Sequence, residues 1–125
     1  MPLESGPRVK PEGNPVVGRD LGPKLESEKM AAWVYIMANR KFGTVYVGAT
    51  GDLIRRVWEH KNEVVPGFTK EHHCHLLVYF EEHQNMHRAM QREHNIKHWV
   101  RAWKDELIEK DNPEWDDLYF GLGIG

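Results

Sequence analysis

Glu93 stands where an apolar residue is expected. It lies in line with Met90 and Ile96 on the apolar stripe of a helical pattern, and a carboxylate on an inward face needs a partner because an unpaired buried charge is expensive. The same placement also describes a helix-boundary glutamate. Arg56 and His60 are four residues apart, so on a helix they share one face. That pattern supplies a permanent cation beside a group that titrates near neutrality, and it equally describes a solvated helix face. Two phenols, Tyr35 and Tyr46, sit in short runs of β-branched and aromatic residues. His72-His73-Cys74-His75 is dense in metal-ligating types, and His94 and His98 have a spacing that chelates on a helix. No CxxC or HExxH pattern accompanies them, and adjacent residues on a strand point to opposite faces.

The elements that position these groups follow from periodicity. Trp33-Val34-Tyr35-Ile36-Met37 and Thr44-Val45-Tyr46-Val47 read as strands joined by a hairpin loop over Asn39–Gly43. Cross-strand partners share a face. Placing Val34 and Ile36 with Val45 and Val47 requires partners whose numbers sum to an odd value, for example Ile36 opposite Val45. Any such register puts Tyr35 and Tyr46 together on the other face. Asp52 is an N-cap for a helix over Leu53–Lys61, with Leu53/Val57 and Ile54/Trp58 as apolar pairs. Leu76-Leu77-Val78-Tyr79-Phe80 reads as a third, more buried strand. Asn85 caps a long helix through Trp99 whose stripe runs Met86, Ala89/Met90, Ile96, Val100, and a second helical stretch covers Ala102–Lys110. The order β-β-α-β-α-α predicts an α+β fold: a small three-stranded mixed or antiparallel sheet flanked by helices.

Composition narrows the class. The chain has 125 residues, formal charge −2 and one cysteine, Cys74. This is one domain's worth of sequence, without an internal disulfide, which fits a reducing, cytoplasmic compartment. The longest apolar run, Met30–Ala38, is nine residues, far below the ~18 or more expected of a membrane span. No basic-then-apolar leader opens the sequence. The charge is uneven: residues 1–31 net 0, 32–110 net +2 and 111–125 net −4. Residues 1–31 carry five of the seven prolines and no apolar period, so they are expected to be disordered. Residues 32–119 are the expected domain and 120–125 a flexible tail.

Val34-Tyr35-Ile36, then Tyr46-Val47-Gly48, then Asp52-Leu53 leading to Arg56 and His60, then Arg92-Glu93 form an ordered set. So do Val65-Pro66-Gly67-Phe68-Thr69-Lys70 and Asn112-Pro113-Glu114-Trp115 between and beyond them. Together they resemble the GIY-YIG nuclease family, particularly its small stand-alone bacterial members. The first motif is degenerate, with Trp33-Val34-Tyr35 in place of Gly-Ile-Tyr. The resemblance implies an endonuclease that hydrolyses phosphodiester bonds in DNA with Mg²⁺ or Mn²⁺. It makes Tyr35, Tyr46, Arg56, His60 and Glu93 the catalytic set, Glu93 the metal ligand and Gly48 the motif glycine. Asn112 is the nearest candidate for a further family asparagine. Arg55, Lys61, Lys70, Arg92 and Lys97 are the basic residues around this set and are candidate DNA contacts.

These residue types suit that chemistry. Phosphodiester hydrolysis needs a deprotonated water and stabilisation of charge on the phosphoryl oxygens. Mg²⁺ is commonly held by one or two carboxylates plus phosphates and waters, and a single carboxylate in the matched set favours one metal over a two-metal clamp. Arg56 offers a permanently charged fork to a nonbridging oxygen. Tyr35, Tyr46 or His60 could orient or deprotonate water; a phenol with its reference pKa of about 10 needs a nearby cation to do so at neutrality, whereas imidazole is the easier base. The alternatives are a DNA-binding module without catalysis and a His-rich metal-binding protein.

Overall fold

The computed structural model describes residues 31–122, so the expectations for residues 1–30 and 123–125 lie outside the described residues. Strand β1 (Ala32–Ala38) is central, flanked by β2 (Val45–Thr50) and β3 (Leu76–His83), both antiparallel to it. Helix α1 (Leu53–Lys61) and a single turn, α2 (Phe68–Glu71), connect β2 to β3. Helices α3 (Met86–Lys97) and α4 (Arg101–Asp111) follow, then a 3₁₀ turn over Leu118–Gly121. The α+β architecture expected from periodicity is therefore present, with the sheet wholly antiparallel.

A central strand is covered on both faces, and β1 is apolar on both. Val34, Ile36 and Ala38 join Val47, Ala89, Ile96, Trp99, Ile108 and Trp115 in the larger core, on the side of α3 and α4. Tyr35 and Met37 join Leu53, Val57, Cys74 and Leu77 in the smaller core, on the side of α1. The odd-sum rule for β1 and β2 holds, but Ile36 pairs with Val47 rather than Val45, and Tyr35 faces Gly48. The loop decides this. Asn39 accepts from the Thr44 amide through its side chain (2.9 Å) and donates its own amide to the Thr44 carbonyl (3.2 Å), closing a longer hairpin.

The long helix is phased differently from the expected stripe. Ala89 and Ile96 are buried, while Met86, Met90 and Val100 are exposed. Glu93 thus stands in line with Ala89 and Ile96, which makes it more inward-facing. The helix stops at Lys97, and Val100 is the N-cap of α4. On α1, Leu53 and Val57 are buried, but the Ile54/Trp58 pair is exposed at 41% and 50%. In β3 a bulge separates the pairs Ile36–Tyr79 and Met37–Leu77, leaving Val78 without an opposite residue. No helix among the described residues is long and apolar enough to cross a membrane.

Candidate functional site

Local sequence fixes α1 first. The Asp52 carboxylate accepts from the Arg55 amide (3.2 Å), and Thr50 Oγ1 accepts from the Asp52 amide (3.0 Å), so the helix begins at a defined residue. Leu53 and Val57 then anchor it to the sheet. That rotation carries His60 inward, to 1% exposure, and leaves Arg56 at the rim with its side chain 37% exposed.

Strand register places the phenols. Tyr35 and Tyr46 share a face, with ring centroids 6.3 Å apart. The Tyr35 ring lies directly over Gly48: a Cβ at that position would come within 2.4 Å of the Tyr35 hydroxyl. Here glycine serves close approach rather than unusual backbone angles.

His60 joins these elements. Its Nε2 is 2.8 Å from Tyr35 Oη and its Nδ1 is 2.9 Å from Thr69 Oγ1. Both ring nitrogens are therefore engaged. With the proton on Nδ1, the ring donates to Thr69 and accepts from Tyr35; the other tautomer reverses both bonds. Burial, reinforced by the Arg56 charge, pushes the His60 pKa down to about 4. The imidazole is neutral at physiological pH. Burial also drives the Tyr35 phenol well above its ordinary range; Tyr46 adds to this and Arg56 opposes it. The site thus contains a protonated phenol and a neutral imidazole in contact, with Arg56 as the fixed positive charge.

Glu93 enters from the opposite face of the sheet. Its helix packs on the Val34/Ile36 side, yet its negative charge is among those acting on Tyr35. The Glu93 side chain is 19% exposed and pairs with Lys97 Nζ at 2.6 Å. The same ammonium lies 5.8 Å from the Tyr46 ring centroid. The five catalytic candidates are therefore linked through the two phenols: Tyr35 contacts His60 and feels the charges of Arg56 and Glu93, and Tyr46 lies beside Tyr35, His60 and the Lys97 partner of Glu93.

The basic candidates divide. Arg55 and Arg56 both bind Glu59, at 3.2 and 3.1 Å. Lys70 is exposed on α2. Lys61 is turned to the Asp117 carboxylate and donates to the His75 carbonyl (2.9 Å). Arg92 makes a two-armed pair with Glu81 (2.8 and 3.2 Å) and stacks over Trp99. The structure engages these last two within the protein. Asn112 also has a structural setting. It is 5% exposed, donates to the carbonyls of Val78 (3.0 Å) and Asp116 (2.9 Å), and accepts from the Asp116 amide (3.0 Å). It satisfies the carbonyl of the bulged residue, and its contacts lie in the α4–β3 corner.

Thr69 is the site neighbour that sequence reasoning passed over. It is 3% exposed and belongs to the one-turn helix after Pro66-Gly67. The only signal was its place in the Val65–Lys70 segment; nothing local shows that this turn folds back onto His60.

The sequence pattern of the GIY-YIG catalytic domain matches residues 31–106. A UPF0213 protein from Pediococcus pentosaceus is 35% identical over 68 residues, 54% of this chain and 72% of the relative. A UPF0213 protein from Desulfotalea psychrophila is 29% identical over 96 residues, covering 76% and 86%. The solution NMR structure of a UPF0213 protein from Bacillus halodurans is 26% identical, with TM-score 0.45 over 77% of this chain and 100% of that one. With the domain pattern spanning the sheet and the first three helices, the chain belongs to the GIY-YIG catalytic-domain family.

Proposed function

We propose that this protein is a divalent-metal-dependent DNA endonuclease that hydrolyses phosphodiester bonds. The observation that carries the reading is the hydrogen-bonded line Tyr35–His60–Thr69, placed beside Arg56 and faced by Glu93 from across the sheet edge. Family membership supports nuclease chemistry, and DNA is the substrate class it suggests.

Glu93 fits a hard, oxygen-seeking cation. It is a half-buried carboxylate, and its Lys97 partner is a long, 45% exposed side chain that an incoming ion can displace. Mg²⁺ or Mn²⁺ bound there supplies positive charge to the phosphate oxygens. Arg56 holds a nonbridging oxygen and stabilises the charge that builds on it. Tyr46, the half-buried phenol, orients the attacking water. Tyr35 Oη accepts the water proton while its own proton passes to His60 Nε2. In this relay Tyr35 never carries net charge, so its raised pKa is no obstacle. His60 must be neutral to receive the proton, which its burial ensures. A phosphate on Arg56 offsets the charge that depresses His60, so substrate binding increases the basicity of its own acceptor. Arg55, Lys70 and Lys97 are the basic residues best placed to attract the DNA backbone.

Supercoiled plasmid incubated with the protein, with and without Mg²⁺ or Mn²⁺, tests this reading. Metal-dependent nicking that is lost in Glu93→Ala, with circular dichroism unchanged, is the expected outcome. Plasmid binding without nicking by the wild-type protein would instead indicate a DNA-binding module without catalysis.

A further inference from the structure

A second group of metal-ligating side chains lies outside this site. Glu63 follows α1, and His73 and His75 precede β3. His73 Nδ1 is 2.8 Å and His75 Nε2 is 2.9 Å from the same oxygen, Glu63 Oε2. One ligand atom from each residue lies within 4.8 Å of the other two. His73 and His75 both turn their side chains to Glu63, while Cys74 between them is fully buried, with its Sγ 3.8 Å from the Thr44 carbonyl. Glu63 and His73 both adopt positive φ, 56° and 55°, each in the position just after a helix C-cap.

We propose that Glu63, His73 and His75 form a binding site for a borderline transition-metal ion of the Zn²⁺ class, separate from the hard-cation site at Glu93. Two imidazole nitrogens and one carboxylate oxygen are the donor set that Zn²⁺, Co²⁺ and Ni²⁺ prefer over Mg²⁺. Three protein ligands leave a coordination position open, and the side chains are accessible enough for entry, with His73 70%, His75 40% and Glu63 29% exposed. Lys61 Nζ, on the His75 carbonyl, anchors the segment from behind but is itself neutralised by Asp117.

The position gives the site a consequence. Glu63 is three residues beyond His60, and His73 is four beyond Thr69. The Glu63 amide is bonded to the His60 carbonyl (3.1 Å), and the Cys74 amide to the Thr69 carbonyl (2.9 Å). A metal held by these three side chains therefore cross-links the two segments that carry the His60–Thr69 hydrogen bond. It acts as a clamp on the α1–α2 corner.

Co²⁺ titration of the metal-stripped full chain tests the site directly. The intense visible band of low-coordinate Co²⁺ should appear at one equivalent and disappear when Zn²⁺ is added. His73→Ala, His75→Ala and Glu63→Gln should each lose the band, whereas Glu93→Gln and the double substitution His94→Ala/His98→Ala should keep it. The two control variants separate this site from the proposed nuclease centre and from the other histidine pair. Zn²⁺ at about 100 times its Kd should raise the Tm of the wild-type chain by roughly 10–20 °C, and not that of His75→Ala. Because His73 is mostly exposed, His73→Ala should match the metal-free wild-type Tm, which establishes that its loss of binding is not unfolding. The pale spectrum of six-coordinate Co²⁺ with the wild-type chain, or a band that survives His73→Ala and His75→Ala, would overturn the proposal.

Discussion

The Tyr35 hydroxyl lies 2.8 Å from His60 Nε2, in a pocket that leaves both residues 1% exposed. Replacing Tyr35 with Phe removes one hydroxyl and leaves Nε2 without its partner. Nicking should fall by about 10²–10⁴-fold, the usual scale of a lost general acid–base group. Stability should fall by about 1–3 kcal/mol, the cost of a buried polar atom left unsatisfied. Comparing plasmid nicking with urea denaturation for the same variant separates the two effects. Activity near wild type would remove Tyr35 from the proton path.

The depressed His60 pKa sets a pH dependence with a definite sign. The folded chain protonates His60 at about 4, the unfolded chain near 6.5. Between these values the unfolded state binds more protons, so stability falls as pH drops through this window. The loss reaches about 3 kcal/mol by pH 4. Thermal melts from pH 7 to 4 should show this slope, and His60→Gln should flatten it. In kinetics, the acid limb of kcat/KM due to His60 should lie near 4, while that of kcat shifts upward because bound phosphate neutralises Arg56.

Gly48 sets the depth of the Tyr35 ring. A methyl group there would meet the hydroxyl at 2.4 Å and ring carbons at 2.5 and 2.7 Å. Gly48→Ala should cost about 1–3 kcal/mol of stability through overpacking. It should also lower nicking beyond that cost by moving Tyr35 off His60. Unchanged nicking at full folded population would show that the Tyr35 position tolerates displacement.

Lys97 competes with any cation for Glu93. Lys97→Met should therefore tighten Mn²⁺ binding several-fold, measured by electron paramagnetic resonance of the free ion, while weakening affinity for DNA at low salt. Equal Mn²⁺ affinity in both proteins would mean that Glu93 is not the ligand.

Asn112 should behave as a structural residue. Its three hydrogen bonds in a 5% exposed setting predict that Asn112→Ala lowers stability by about 2–4 kcal/mol. Nicking per folded molecule should be unchanged, read below the new Tm. A selective loss of kcat would give Asn112 a chemical role instead.

Much of this architecture is legible in the sequence because local signals agree. Asp52 and Asn85 cap the helices they precede, and the parity of apolar residues in β1 and β2 fixes which side chains share a face. The register itself is not legible, because it depends on side-chain hydrogen bonds inside the Asn39–Thr44 loop. The bulge at Val78 is similarly hidden, since Asn112, 34 residues later, holds its carbonyl. Periodicity placed Glu93 on the inward stripe but misjudged its neighbours, as Met90 and Ala89 are one position apart and only packing decides between them. Nor could sequence reveal that Arg92 and Lys61 are bound to Glu81 and Asp117: pairings across the fold have no local signature.

The two-sided origin of the site also bears on folding. Tyr35 belongs to one core, and Ala89 and Ile96 on the helix of Glu93 belong to the other, with the sheet between them contributing side chains to both. A chain that has condensed only one side of its sheet carries an incomplete constellation. Local opening of α3 would separate Glu93 from the other four while leaving the Tyr35–His60 contact closed. Hydrolytic competence should therefore track the least stable of the two layers rather than the most stable, and amide-exchange protection in α3 should report the fraction of molecules able to cut.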